Sequence, residues 1–333
     1  MEMNRWQTRL NSDSLSWLLE PDQANPGVRY FALRDLLARP ETDPEVSQAR
    51  QAVMATGPVP VILKAQFPEG CWAKPGGGYS PKYRGTVWQI IFLAELGADP
   101  TDERVRRGCE YLLNHSLASN NAFSARQQPV PSSAIHCLNG NLLSALLRLG
   151  YVDEPRVQAA LAWQVQAITG QGQIHYYESG TNAPGFACAV NLGQPCGWGA
   201  TKAMKALSAV PPQRRTPAIQ QAIDVGAEFL LSRDPAVADY PYTGRVSSSW
   251  FKFGFPLSYW SDVLEVVAML GELGYGEDPR LKNALQFILS KQDPQGRWRL
   301  ENALNGKMWV DIEQKGRPSK WITLRACRVL MAC

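Results

Sequence analysis

The chain is short of charge and of organised cysteine chemistry. Only 19% of its 333 residues are Asp, Glu, Lys or Arg, and the net charge of +4 has no basic run behind it. That excludes a nucleic-acid binder working through a cationic stripe. Seven cysteines stand at irregular spacing with no CxxC pair. An odd, scattered set argues against a disulfide framework and for a reducing compartment. No apolar run approaches the roughly 20 residues of a membrane span. Arg5, Arg9, Asp13, Glu20 and Asp22 break up the N-terminal stretch. No signal peptide is therefore read there, and the chain reads as cytoplasmic.

What is abundant is aromatic surface, with eleven Trp and eleven Tyr. Such side chains fill a core or line an apolar pocket. They are set in a recurring helical grammar. Residues 83–97 place Val87, Ile90, Ile91 and Ala94 at i, i+3, i+4 and i+7, which predicts a helix stopped by Gly97. An acidic turn and a second helix follow. The same pattern returns at 142–157 and 266–281, and in worn form at 28–54 and 196–231. The landmarks Leu37, Gly97, Gly150, Leu207 and Gly274 lie 60, 53, 57 and 67 residues apart. Residues 319–331 form a last apolar helix, which the helix at 14–20 could partner. Helix pairs at a period of about 60 are a repeat architecture, closed or open. The terminal pairing favours closure. Two long connections, 168–195 and 233–256, are expected over one mouth of the ring.

Gln66-Phe-Pro-Glu-Gly-Cys-Trp72 and Gln292-Asp-Pro-Gln-Gly-Arg-Trp298 share the pattern Q-x3-G-x-W at the ends of outer helices. This resembles the Gln-Trp repeat of squalene-hopene and oxidosqualene cyclases, and the arrangement is similar to that of the protein prenyltransferase β-subunit. The resemblance covers about residues 28–331. It implies an all-α fold, an α/α toroid of about six inner and six outer helices, as one domain over 1–333 with 1–27 as an N-terminal extension packed on the ring. The family's catalytic signatures are missing: no Asp-x-Asp-Asp, no Asp-Asp-x-x-Asp and no Asp-x-Cys occurs. What the resemblance implies is a cavity for a hydrophobic, isoprenoid-type small molecule, with isomerase or lyase chemistry if the protein is an enzyme.

Aligning the inner helices on their Leu-Gly ends brings Tyr83 and Arg84, His136 and Cys137, Cys196, Trp260 and Asp262, and Lys320 to one rim, with His175, Tyr176 and Cys188 in the connection above. Two kinds of chemistry compete there. Asp262 is expected as a desolvated carboxyl that holds its proton for an alkene or leaving group, with His136 or Cys137 taking a proton back. Tyr83, Arg84, Tyr176, Trp260 and Lys320 are then substrate-binding candidates. Alternatively Cys137, Cys188, Cys196 and His136 supply four zinc ligands, although adjacent helical residues diverge by about 100°. Ser261-Asp262 followed by Glu265 also reads as a helix N-cap. A non-catalytic binding protein for an apolar ligand is the third reading.

Overall fold

Proline in the first turn and a carboxylate or hydroxyl before it start most of the outer helices. Asp43, Asp102, Glu154 and Thr216 each accept a backbone N–H of the helix they precede. This satisfies donors that no carbonyl can reach. In the computed structural model, which describes residues 6–171, 175–176, 181–182, 185–188, 191–240 and 246–333, the chain is all-α. The helices are α1 (Ser14–Leu19), α2 (Pro26–Phe31, extended by a π turn over Ala32–Leu36), α3 (Pro44–Ala55), α4 (Pro58–Lys64), α5 (Thr86–Leu96), α6 (Glu103–His115) and α7 (His136–Arg148). There follow α8 (Pro155–Thr169), α9 (Gly197–Ser208), α10 (Pro217–Leu231), α11 (Val263–Glu272), α12 (Lys282–Ser290) and α13 (Lys320–Ala332). Among the described residues the only ladders are two antiparallel pairs of two-residue strands.

Helices α5, α7, α9, α11 and α13 pack in succession, and α13 also packs on α2. Gly27 of α2 in turn abuts the Leu96 carbonyl at the end of α5. The last inner helix thus meets the first, and the row closes. Every residue of α5 except Glu95 is buried, whereas α6 carries a charged outer face. α1 packs against α13 and supplies its outer partner, as the sequence suggested. Gly97, Gly150 and Gly274 end the inner helices with φ of 84°, 88° and 95°, a left-handed conformation open to a residue without Cβ.

The helix expected from residue 83 begins only at Thr86. Tyr83 is itself left-handed, with φ of 66°, and Gly85 is the extended N-cap. The fifth inner helix likewise starts at Val263 rather than near Pro256. These stretches are structured loop at the start of an inner helix.

The two Gln/Gly/Trp segments are built alike. The Trp72 indole N–H donates to the Ile62 carbonyl at 2.8 Å, and its backbone N–H to the Thr86 hydroxyl at 3.1 Å. Trp298 does the same to Ile288 at 2.7 Å and Thr323 at 3.0 Å. Each indole thus ties an outer helix to the first residues of the next inner one. Gln66 donates to the carbonyls of Gly70 and Arg104, while Gln292 accepts from the Asn11 backbone. Trp72→Phe is expected to cost only about 1 kcal/mol, the net worth of the lost bond. The Ile62 carbonyl keeps a second donor, Ala65. Trp72→Ala, which empties a fully buried site, is expected to cost about 3–5 kcal/mol. Urea denaturation of the two variants separates clamp from volume.

The closest inner seam is α7 against α9. A Cβ on Gly140 would stand 2.1 Å from the Lys202 carbonyl oxygen, and one on Gly199 3.3 Å from the His136 Cβ.

Candidate functional site

The inner helices begin together at one mouth of the ring, where a group of aromatic side chains and a group of cysteines are found. Tyr83 and Tyr259 stand beside each other, close to Ser258. Asn141 on α7 donates to the Ser258 carbonyl at 2.9 Å. Tyr259 meets Trp198 edge-on at 6.3 Å between ring centroids, and the Lys82 ammonium stands 4.5 Å above the Tyr259 ring. One turn before Asn141, Cys137 lies within electrostatic range of Cys188, Cys196 and Lys202. The Cys188 and Cys196 thiols hydrogen-bond each other. Tyr83, Tyr259, Trp198 and the three cysteines are all half-buried.

Cys137, Cys196 and Tyr83 keep their protons. Burial pushes the Cys137 thiol up to about 12. Its bond to Cys188, then burial, drives Cys196 well above the ordinary thiol value. Burial, with Tyr259 beside it, raises the Tyr83 phenol to about 12.

Below this mouth the ring axis is occupied by ion pairs rather than by the apolar cavity the sequence suggested. Lys202 bonds both oxygens of Glu265, at 2.7 and 2.6 Å. Lys205 bridges Glu265 at 3.1 Å and Glu95 at 2.5 Å. Lys202, Lys205 and Glu265 are buried. Burial pulls the Lys202 amine down to about 8, with Glu265 opposing the fall. Burial works against ionisation of Glu265 too, but Lys202 and Lys205 outweigh it and hold the carboxyl below its usual range.

Asp262 stands differently from its expected role. It is fully buried and caps α11 by accepting from the Glu265 N–H at 2.8 Å. It also accepts from the Gly254 N–H at 3.1 Å and from two Arg325 nitrogens at 2.8 and 3.1 Å. Each oxygen thus takes two N–H donors, which fills the four acceptor positions of a carboxylate. The cap reading of Ser261-Asp262 fits the geometry.

His136 is also turned away from the mouth. Its Nδ1 and the Gln164 amide of α8 are 2.8 Å apart, and its ring packs on Trp163 and Phe186. Burial lowers it to about 3, so the imidazole is neutral. Cys137 faces Cys188 while His136 faces the outer helix, the divergence that neighbouring helical positions impose. Among the described residues no three His, Cys, Asp or Glu side chains are grouped to hold a metal ion, so the four-ligand zinc set is not assembled.

Of the substrate-binding candidates whose side chains are described, only Tyr83 stands beside Tyr259. Arg84 is exposed and lies 5.4 Å from the Trp309 ring. Trp260 is buried against Gly254. Lys320 points to Glu20, Asp22 and Trp17 at the N-terminal segment. The side chains of His175 and Tyr176 lie outside the described residues, as does most of the connection 172–190. Tyr259, Trp198, Lys202 and Glu265 were not singled out from sequence. The one available signal was charge inside an inner helix, at Lys202, Lys205 and Glu265.

No protein-family model matches the chain, and no curated protein does. Among solved structures it is similar to the type II terpene cyclase MstE from Scytonema in its apo form, at 14% identity and a TM-score of 0.29, over 86% of this chain and 96% of that one. Variants of the same cyclase in complex with geranylgeranyl dihydroxybenzoate, a substrate, and with merosterolic acid A, a product, give TM-scores of 0.32 over the same shares at 14% identity. Scores this low carry no argument about chemistry, which rests on the side chains above.

Proposed function

We propose that this chain is a terpenoid-cyclase-like protein that takes a hydrophobic, isoprenoid-type molecule at the mouth formed by Tyr83, Trp198, Tyr259 and the three thiols. One observation carries the reading: half-buried aromatic rings and protonated thiols both stand at the starts of the inner helices. Such a surface offers an alkene chain dispersion contacts. Its ring faces accept positive charge, as Lys82 over Tyr259 illustrates. Acid–base isomerisation, cyclisation or elimination at this mouth draws its protons from the neighbouring Tyr83 and Tyr259 phenols, since Asp262 is committed to Arg325 and the α11 cap.

Tryptophan-fluorescence titration with farnesol and geranylgeraniol tests the binding. Trp198→Ala is expected to weaken it about tenfold. Gas chromatography of products then tests the proton transfer, with Tyr83→Phe keeping affinity and lowering turnover roughly a hundredfold. Absence of binding by either alcohol, or equal affinity in Trp198→Ala, removes this mouth as the site.

A further inference from the structure

The opposite mouth, where the inner helices end, holds a cavity of about 420 Å³. Four arginines line it (Arg34, Arg50, Arg148 and Arg328) against two carboxylates, Asp35 and Glu272. A narrower extension of about 50 Å³ shares Arg148, Arg328 and Glu272 and runs inward to Lys205 and Arg325. Phe31 forms one wall, with the Arg34 and Arg328 guanidinium carbons each 4.8 Å from its ring centroid.

The cations are unequally satisfied. Arg34 bonds Asp35 at 2.5 Å and the Tyr30 hydroxyl at 3.2 Å. Arg50 bonds Glu41 at 3.2 Å. Arg328 bonds Asp35 through one terminal nitrogen, but its buried Nε has no partner. Arg148 makes no hydrogen bond to any described residue. Its nearest carboxylate oxygen, Glu95 Oε1, is 3.7 Å away and already holds Lys205 at 2.5 Å. Glu272 Oε2 is likewise taken by the Ser208 hydroxyl at 2.8 Å.

Basic residues at helix C-termini answer the partial negative charge of the terminal carbonyls, and that accounts for arginines being here. It does not account for one whose five N–H groups bond none of those carbonyls. A planar fork of donors at the exposed wall of a cavity, with Glu95 Oε1 and Glu272 Oε2 already bonded elsewhere, matches an oxyanion. We propose that this mouth binds a small oxyanion-bearing molecule, a phosphate or carboxylate compound, seated on Arg148 and Arg328. The volume falls in the range of small-molecule sites. The site faces away from the aromatic mouth and does not depend on what binds there.

Isothermal titration of the full chain with inorganic phosphate, diphosphate and succinate, at matched ionic strength in a phosphate-free buffer, tests the proposal. At least one probe is expected to bind at millimolar concentration or below. Arg148→Ala is expected to lose about tenfold in affinity, Arg148→Lys to recover part of it, and Arg214→Ala, an exposed arginine elsewhere, to leave it unchanged. Preference for the phosphates identifies a phosphate ligand, and preference for succinate a carboxylate. Should the substitution impair folding, protection of Arg148 in the wild-type chain from phenylglyoxal by the bound probe, mapped by mass spectrometry, gives the same answer. No binding of any probe, or equal binding by folded Arg148→Ala, overturns the proposal.

Discussion

Glu265→Leu is expected to destabilise the chain by about 3–5 kcal/mol, because it strands a buried ammonium. Lys202 is fully buried, and its ammonium hydrogen-bonds both oxygens of Glu265. With the carboxylate gone, its charge has no such partner on the axis. Lys205 fares better, since Glu95 holds it at 2.5 Å. The double variant Lys202→Met/Glu265→Leu is expected to recover most of the loss, because a buried pair replaced by apolar groups of similar volume is often close to neutral. Urea denaturation near pH 7 on the wild type, both singles and the double closes the cycle. A single Glu265→Leu costing under about 1 kcal/mol would mean that water reaches Lys202 and that the axis is not the dry ion-pair column described.

Acid should expose the other buried base. His136 lies near 3 when folded, against an ordinary 6.5. Gln164, Trp163 and Phe186 surround it. Above 6.5 neither folded nor unfolded chain protonates this ring, and its contribution is complete. As pH falls from 6.5 toward 3 the unfolded chain takes a proton that the folded one refuses. Stability then drops by about 1.4 kcal/mol per pH unit. Glu95, Glu265 and Asp35 are held below their usual range: burial opposes each, and neighbouring Lys or Arg side chains outweigh it. Their contributions begin to fade only below about 4.5. Between pH 6.5 and 4.5 His136 is expected to contribute a loss of about 2–3 kcal/mol. Glu313, whose carboxyl is raised by burial, partly offsets it, so the His136 share is the part that its substitution removes. His136→Gln should flatten that slope, and an unchanged slope in the variant would assign the loss elsewhere.

The helix pairs, their glycine stops and the pairing of α1 with α13 were legible in the sequence, because they rest on periodicity and on residues with one conformational role. The Gln/Gly/Trp segments were legible for the same reason. The site was less so. Aligning helix starts fixed the level of each residue along the axis but not its direction around the helix. Tyr83, Cys137 and Cys196 are half-buried near the inner-helix starts, while His136 faces Gln164 and Lys320 faces the N-terminal segment. Asp262 was readable as a cap from Ser261 and Glu265, yet its partner Arg325 lies 63 positions away, and no local pattern announces such a pair. Lys202 and Lys205 were passed over because charge within an apolar helix is ordinarily a solvated face. Here four inner helices turn that face toward one another.

The glycine contact between α7 and α9 has a mechanical consequence. Where backbone touches backbone there are no side chains to repack, so the two rods cannot slide without the Lys202 carbonyl riding over Gly140. That seam acts as a keel. Any breathing of the ring must be taken up at its other joints, and the Lys202 amine is carried on the part that moves least.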